Sequence, residues 1–229
     1  DTEVMRVYEN PQGIIEGDLN AVGAGYHMSI AWSGSYAGSG RAIATWLEVA
    51  AAADASAAMD VVRPCPQPTL VFMFADAENH IGLQGTGRFP KRRDPESGLS
   101  PLPAWDEANH WQGFLDNRLL PSFYDPPDGF IATANEEMNP ANGPMLNTQP
   151  QPDYRKRRID QRLSELDSAT IEDMQNLQYD VLSLQARDLL PILLALINDC
   201  PLKEKLSAWD CRYTPVSTEA ALYQHFYRH

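Results

Sequence analysis

The spacing of apolar and polar residues changes character near residue 153. Before it, apolar residues come in short runs broken by glycine, proline and asparagine, the pattern of strands and turns. Val4-Met5-Arg6-Val7-Tyr8 is strongly β-prone, and Asn10-Pro11-Gln12-Gly13 is a turn signal that leads into Ile14-Ile15. Gly25 to Trp32 alternates loosely before Ser33-Gly34-Ser35. Residues 40–62 read as helix, with Ala42, Ile43, Trp46, Leu47 and Val49 on one face and Cys65-Pro66-Gln67-Pro68 as the stop. Thr69 to Ala75 is a continuous apolar run, which suits a strand covered on both faces. After an Asp76–Asn79 turn, His80 to Gly87 returns as a glycine-punctuated strand. From Phe89 to Asp128 the pattern is that of a long loop whose tryptophans and phenylalanines must pack on something. Gly129 to Asn135 then reads as a buried strand ending on an asparagine.

Beyond a polar loop from Glu136 to Pro152 the period becomes helical. Ile159, Leu163 and Leu166 share one face, and Thr170 with Asp173 predicts an N-cap ahead of Ile171, Met174 and Leu177. Leu182 to Asn198 predicts a helix kinked or broken at Pro191 and stopped by Pro201. Ser217 is placed to cap a last helix running through His229. The fold class is therefore α+β, with a β-rich first half and a mostly helical part from about residue 153. The chain opens inside β structure and ends in a helix without a C-cap, so it is expected to be an internal piece of a longer protein. The opening Asp1-Thr2-Glu3 does not read as a signal peptide, and earlier removal of one stays open.

Bulk properties narrow the function classes. The chain has 229 residues and 43% hydrophobic content, enough for a sizeable core. Its longest apolar stretch, Leu189 to Ile197, is far short of the ~18 residues of a spanning helix, so no membrane partner is expected. The net charge of −13 argues against nucleic acid, which selects cationic surfaces. Three cysteines, Cys65, Cys200 and Cys211, form no CxxC; their spacing alone leaves a Cys200–Cys211 bridge open. The five histidines make no HExxH, Asp76-Ala77-Glu78-Asn79 lacks the glycine and closing glutamate of a calcium loop, and Ser33 lacks a full GxSxG. No metal site is assigned. Two basic clusters, Lys91-Arg92-Arg93 and Arg155 to Arg158, are read first as solvated faces. The functional alternative is that one arginine meets an anionic substrate group. Taken alone, Asn135 is a turn residue, and Trp46 and Leu70 are core residues.

An ordered set of short motifs changes those readings. Phe74-Ala75-Asp76, Asn79-His80-Ile81-Gly82 and Gly87-Arg88-Phe89-Pro90 occur in that order. They are followed by Pro101-Leu102-Pro103-Ala104-Trp105-Asp106, Trp111-Gln112-Gly113 and Asp125-Pro126-Pro127-Asp128-Gly129-Phe130-Ile131-Ala132-Thr133-Ala134-Asn135. Tyr154-Arg155-Lys156-Arg157-Arg158-Ile159, Trp209-Asp210-Cys211-Arg212 and Ala220-Ala221-Leu222-Tyr223 complete the set. Together they resemble the penicillin acylase (penicillin amidase) family of N-terminal nucleophile hydrolases. The resemblance implies an αββα sandwich, with residues 1–229 part of one catalytic domain: 1–152 mainly strands, one helix and a long loop, 153–229 helical. It implies cleavage of a small N-acyl amide by a serine whose own α-amino group is the base. That serine opens the family's catalytic chain in an "SN.W" context that this sequence lacks, so the isolated chain is expected to be inactive without the remaining segments of the acylase. The resemblance makes Asn135 an oxyanion donor and Arg155 its active-site support, and places Trp46 and Leu70 on the acyl pocket. The family often carries one structural calcium, but no cofactor is assigned to these residues. β-Lactam side chains, acyl-homoserine lactones and other N-acyl compounds are all open as substrates, and a periplasmic or secreted location is implied. The alternative is a non-catalytic, degenerate or structural derivative of the fold.

Overall fold

A computed structural model of the chain describes residues 4–17, 19, 25–94 and 98–228. They divide into two compact units, residues 1–131 with 138–149 and residues 132–137 with 150–229.

The first unit contains two three-stranded antiparallel sheets. In one, β1 (Tyr8–Asn10), β2 (Gly13–Ile15) and β3 (Ser29–Ile30) pair in sequence order, with Tyr8 opposite Ile15 and Ile14 opposite Ile30. The predicted turn forms because the Asn10 side-chain oxygen accepts the N–H groups of Gln12 (2.9 Å) and Gly13 (3.0 Å). The strand expected over Val4–Tyr8 starts only at Tyr8. Val4 and Met5 are more than 80% exposed, and β propensity without a ladder partner does not make a strand.

The second sheet has the order β4 (Val71–Ala75), β5 (Ile81–Gly85), β6 (Ser122–Tyr124), with Met73 opposite Leu83 and Leu83 opposite Phe123. Two helices precede it, α1 (Arg41–Val49) and α2 (Ala55–Val62), where the sequence predicted one. The break is local chemistry: the Asp54 carboxylate accepts the Ala57 N–H at 2.7 Å and starts a new helix. Ala55, Ala58, Met59 and Val62 of α2 are buried, and α2 packs on β4 and β5. The apolar run of β4 is not covered on both faces, since Met73 stays half exposed. β5 is the central strand and is the buried one. Its Gln84 is fully buried yet satisfied, accepting from Arg63 Nε (3.2 Å) and donating to the Gly85 carbonyl (2.9 Å).

The described residues of the long segment after β5 are held by short devices. It supplies β6 and two 3₁₀ turns, Glu107–Asn109 and Asn117–Leu119, capped by the carboxylates of Asp106 and Asp116. Its aromatics pack only in part: Tyr36 meets Phe114 edge-on at 4.9 Å and stacks with Trp111 at 6.1 Å, whereas Trp105 and Phe123 stay more than half exposed. The strand expected over Gly129–Asn135 does not form. Residues 130–133 carry no regular element between bends at Gly129 and at Ala134–Asn135, and no strand pairs with the segment among the described residues. Its alternation of small and apolar residues satisfies the strand pattern, but a strand also requires a ladder.

The second unit is helical: α3 (Tyr154–Ser164), α4 (Ile171–Gln178), α5 (Leu184–Leu196), α6 (Pro201–Ser207) and α7 (Thr218–Arg228). Thr170 and Asp173 form a full capping box on α4, and Ser183 and Ser217 cap α5 and α7. α5 runs through Pro191 instead of breaking there. Pro191 and Arg187, whose carbonyl loses its N–H partner, both lie on the exposed side, where water can replace the bond. Pro201 does not stop that helix, which ends at Leu196, but occupies the first turn of α6, where a missing N–H costs nothing. The core joins Ala186, Leu190, Leu206, Trp209, Cys211, Ala220 and Tyr223. All three cysteines are free thiols. His229, where the last helix was expected to end, lies outside the described residues.

Candidate active site

The bend at Asn135 is built by its neighbours. Asn135 sits in the left-handed region at φ 66°, a conformation asparagine tolerates better than most residues. The Glu136 carboxylate accepts the Ala134 N–H at 2.6 Å and the Thr133 hydroxyl at 3.2 Å, closing the turn from one side. On the other side the Asn135 carbonyl accepts the Gln151 N–H at 2.8 Å, tying the bend to the chain entering α3. Ala134 is buried and Asn135 is exposed. The asparagine is thus a turn residue, but a turn held from three directions.

Arg155 lies in the first turn of α3 and reaches back to this bend. One nitrogen, Nη2, donates to the Ala134 carbonyl (2.6 Å) and to Asn135 Oδ1 (2.9 Å). A guanidinium can only donate, so the amide oxygen of Asn135 must face it and the NH₂ must face away. No acceptor meets that NH₂ among the described residues. The result is an exposed neutral donor fixed in direction and polarised by an adjacent positive charge.

α3 is anchored by the rest of its basic run. Arg158 donates from Nε (2.9 Å) and from Nη2 to the same Asp180 oxygen, and both side chains are largely buried, 14% and 9% exposed. The other Asp180 oxygen accepts the Leu182 N–H at 2.9 Å. Burial pushes the Asp180 carboxyl up, but the Leu182 N–H and Arg158 outweigh it and hold the group below its usual range. Arg157 pairs with Asp188 (2.7 Å) and Asp153 (3.4 Å), and Lys156 pairs with Asp160. Three of the four basic residues are therefore bound to carboxylates, and Arg155 alone is turned onto neutral oxygens. In the other cluster, Arg93 lies 3.8 Å from Asp106.

Trp46 and Leu70 belong to the other unit. Trp46 lies on α1 and Leu70 immediately precedes β4, and each leaves about half its surface exposed (51% and 46%). Neither is a core residue. That unit also holds a histidine–carboxylate contact, His80 Nδ1 to Asp125 Oδ2 at 2.6 Å, with the imidazole stacked on Tyr124 at 5.5 Å. Asp125 also accepts the Ile81 N–H at 2.9 Å, so the pair clasps the end of β6 to the start of β5. Among the described residues no group of three or more His, Cys, Asp or Glu is arranged to hold a metal ion. Sequence patterning did not identify Glu136, Gln151 or Asp180. Glu136 adjoins Asn135 and could have been suspected; nothing in the spacing connects Asp180 to Arg158.

The fold is that of part of an N-terminal nucleophile hydrolase. The structure matches that of penicillin G acylase from Alcaligenes faecalis with a TM-score of 0.73, at 18% identity, over 96% of this chain and 41% of that one. The chain belongs to the penicillin amidase family, whose model matches residues 1–229. It is 31% identical to acyl-homoserine lactone acylase QuiP of Pseudomonas syringae pv. tomato, over 96% of this chain and 28% of that protein. It is 33% identical to penicillin acylase 2 proenzyme of Pseudomonas sp. strain SE83, over 67% of this chain and 20% of that protein. The chain thus spans less than a third of the length of these relatives.

Proposed function

We propose that this chain is part of an acylase that hydrolyses the amide bond of an N-acyl substrate, with Asn135 as oxyanion donor and Arg155 as the residue that aims it. The observation that carries this reading is the Arg155 Nη2 contact to Asn135 Oδ1 at 2.9 Å, which turns the asparagine NH₂ outward. A tetrahedral intermediate of acyl transfer concentrates negative charge on the former carbonyl oxygen. A fixed donor aimed at that oxygen lowers the barrier without reorganising during the reaction.

The nucleophile in this proposal is a serine at the N-terminus of the full catalytic chain, contributed by the remainder of the parent protein. Its free α-amino group, with a pKa of about 7.7–8.0, takes the hydroxyl proton as oxygen attacks the carbonyl carbon. The same amine returns that proton to the leaving nitrogen as the C–N bond breaks. Water then cleaves the resulting ester by the same route and releases the acid. Asn135 donates to the oxyanion in both halves. Arg155 gives no proton; it fixes the amide and adds a nearby positive charge. Trp46 and Leu70 keep the part that family resemblance implies, apolar contacts for an acyl group.

The relatives that cover 96% of the chain include ones named acyl-homoserine lactone acylase, which favours an N-acyl homoserine lactone over a β-lactam as substrate. The test is the complete parent protein assayed on an N-acyl homoserine lactone and on a phenylacetyl anilide. Asn135→Ala is expected to lower kcat by roughly 10²–10³ while leaving KM near that of the parent. Full kcat in that variant would remove Asn135 from the reaction. The chain of 229 residues alone is expected to turn over neither substrate. If the complete parent is inert as well, the non-catalytic reading stands instead.

A further inference from the structure

In the helical unit a cleft of about 580 Å³ opens between α3, the end of α4 and the start of α5. Its volume falls in the range of small-molecule sites, roughly 300–1,000 Å³. Its walls are mainly apolar, formed by Ile159, Leu177, Leu182 and Leu184 together with the ring of Tyr154. Three charged side chains line it, Arg155, Arg158 and Asp180, and they are not equivalent. Arg158 and Asp180 neutralise each other, and Asp180 spends its second oxygen on the Leu182 N–H. Arg155 touches only neutral oxygens, through Nη2 alone. Its Nε and Nη1 donors have no acceptor among the described residues. The cleft therefore combines a leucine and isoleucine wall with one positive charge whose hydrogen-bonding capacity is partly unspent.

We propose that this cleft binds an amphiphilic carboxylate: a flexible apolar chain lying along Ile159, Leu177 and Leu184, its carboxylate on the free donors of Arg155. The chemistry of the walls selects the class. An apolar molecule without a charge would leave the guanidinium without a counter-charge, and an amine would be repelled by it. A phosphate or a short polar anion would leave the leucine wall in water. A chain carboxylate satisfies both, because guanidinium and carboxylate match in charge and fork geometry. Binding there would draw on the same guanidinium that orients Asn135, so occupancy of the cleft and the direction of the asparagine amide are coupled. The proposal goes beyond the acylase reading and does not depend on turnover, because binding is measured on the chain itself.

Octanoate is the probe, with 1-octanol and octylamine as matched controls, titrated into the 229-residue chain by calorimetry and by ¹H–¹⁵N NMR. Saturable binding of octanoate is expected, with shifts at Ile159, Leu177 and Leu184 and at the side-chain NH₂ of Asn135. The alcohol and the amine are expected to bind at least about tenfold more weakly, as the loss of a charge-assisted hydrogen bond requires. Arg155→Met is expected to weaken octanoate about tenfold to a hundredfold and to remove its preference over the alcohol. Leu184→Trp, which fills the cleft and leaves Arg155 in place, is expected to abolish binding; circular dichroism checks that this variant keeps its helices. No saturable binding of octanoate, equal binding of octanol, or full affinity in either folded variant would overturn the proposal. Octanoate bound by an inactive parent would support the cleft while the acylase reading failed. An active acylase whose chain ignores octanoate would do the reverse.

Discussion

Asp180→Ala probes what holds α3, and with it Arg155, in place. Asp180 is 9% exposed and its partner Arg158 14%, so the pair lies away from bulk solvent. Removing the carboxylate takes two hydrogen bonds from Arg158 and leaves the Leu182 N–H without its acceptor. Arg162, 3.8 Å from Asp180, loses that weaker contact but keeps Glu165 at 3.0 Å. Breaking a buried pair by deleting one partner costs about 3–5 kcal/mol. Arg158 keeps a bond to Gln161 at 3.0 Å and borders an open cleft, so the lower figure, about 3 kcal/mol, applies. For a chain of this length each kcal/mol shifts Tm by about 2–4 °C, giving an expected fall of about 6–12 °C by calorimetry. The exposed Arg157–Asp188 pair is the control: Arg157→Ala is expected to leave Tm near that of the parent chain. Arg158→Met combined with Asp180→Leu is expected to regain most of the loss, because an apolar pair carries no desolvation penalty. Acid adds a second arm. The folded Asp180 carboxyl titrates below its unfolded counterpart, so its contribution is complete above the unfolded value near 3.8 and is lost as pH falls through the lower folded value. In the alanine variant that part of the acid destabilisation disappears. A Tm within 2 °C of the parent, a drop matched by Arg157→Ala, or an unchanged acid limb would refute the claim that this pair anchors α3 (2 °C being roughly the shift of a single weak contact).

His80 is held above the ordinary histidine range, first by its hydrogen bond to Asp125. Its stabilising contribution is complete below about 6.5 and is lost as pH rises through the folded value, so NMR titration should place its midpoint above 6.5 and His80→Gln should flatten stability over that window. Asp125 is held low, first by the Ile81 N–H, and stays ionised throughout that range. Gly87 has φ 109°, and an added Cβ would lie 2.5 Å from Thr69 Oγ1 and 2.8 Å from Thr69 Cα. Gly87→Ala is therefore expected to cost at least about 1–3 kcal/mol from backbone strain alone, read as a lower thermal midpoint or loss of soluble chain.

Local chemistry was legible in the sequence wherever one residue acts on its near neighbours. The Asn10 turn, the Thr170–Asp173 capping box and the Ser217 cap all form as the residues indicate, because each is decided within a few positions. Sequence and structure part where an element depends on distant partners. β4 and β5 are both apolar enough for a central strand, and only the pairing of β6 with β5 decides which is buried. Pro191 and Pro201 both carry the sequence signal of a helix breaker, but which side of a helix faces water and where its first turn falls decide what a proline does. The basic run Arg155 to Arg158 is only partly legible: Lys156–Asp160 and Arg157–Asp153 lie one helical turn apart, whereas the partners that separate Arg155 from Arg157 and Arg158 are Asn135, Asp188 and Asp180, more than 19 positions away.

Gly129 to Asn135 shows how a pattern can indicate the wrong element and still end on a residue that the structure holds firmly. Its pattern predicts a strand delivering a rigid asparagine, yet it forms no ladder among the described residues. Fixity comes instead from three separate contacts, from Glu136, Gln151 and Arg155, around a left-handed residue. This difference has a chemical consequence. A strand would hold the backbone and leave the amide free to rotate about its last torsion. A guanidinium on Oδ1 holds the amide itself, the part that an oxyanion would meet. Asn135→Asp would put a carboxylate on the same guanidinium at nearly the same shape, keeping the bend and the contact while replacing the donor with an acceptor. That substitution separates the geometry of the site from its hydrogen-bond polarity, and it is the polarity that the proposed chemistry requires.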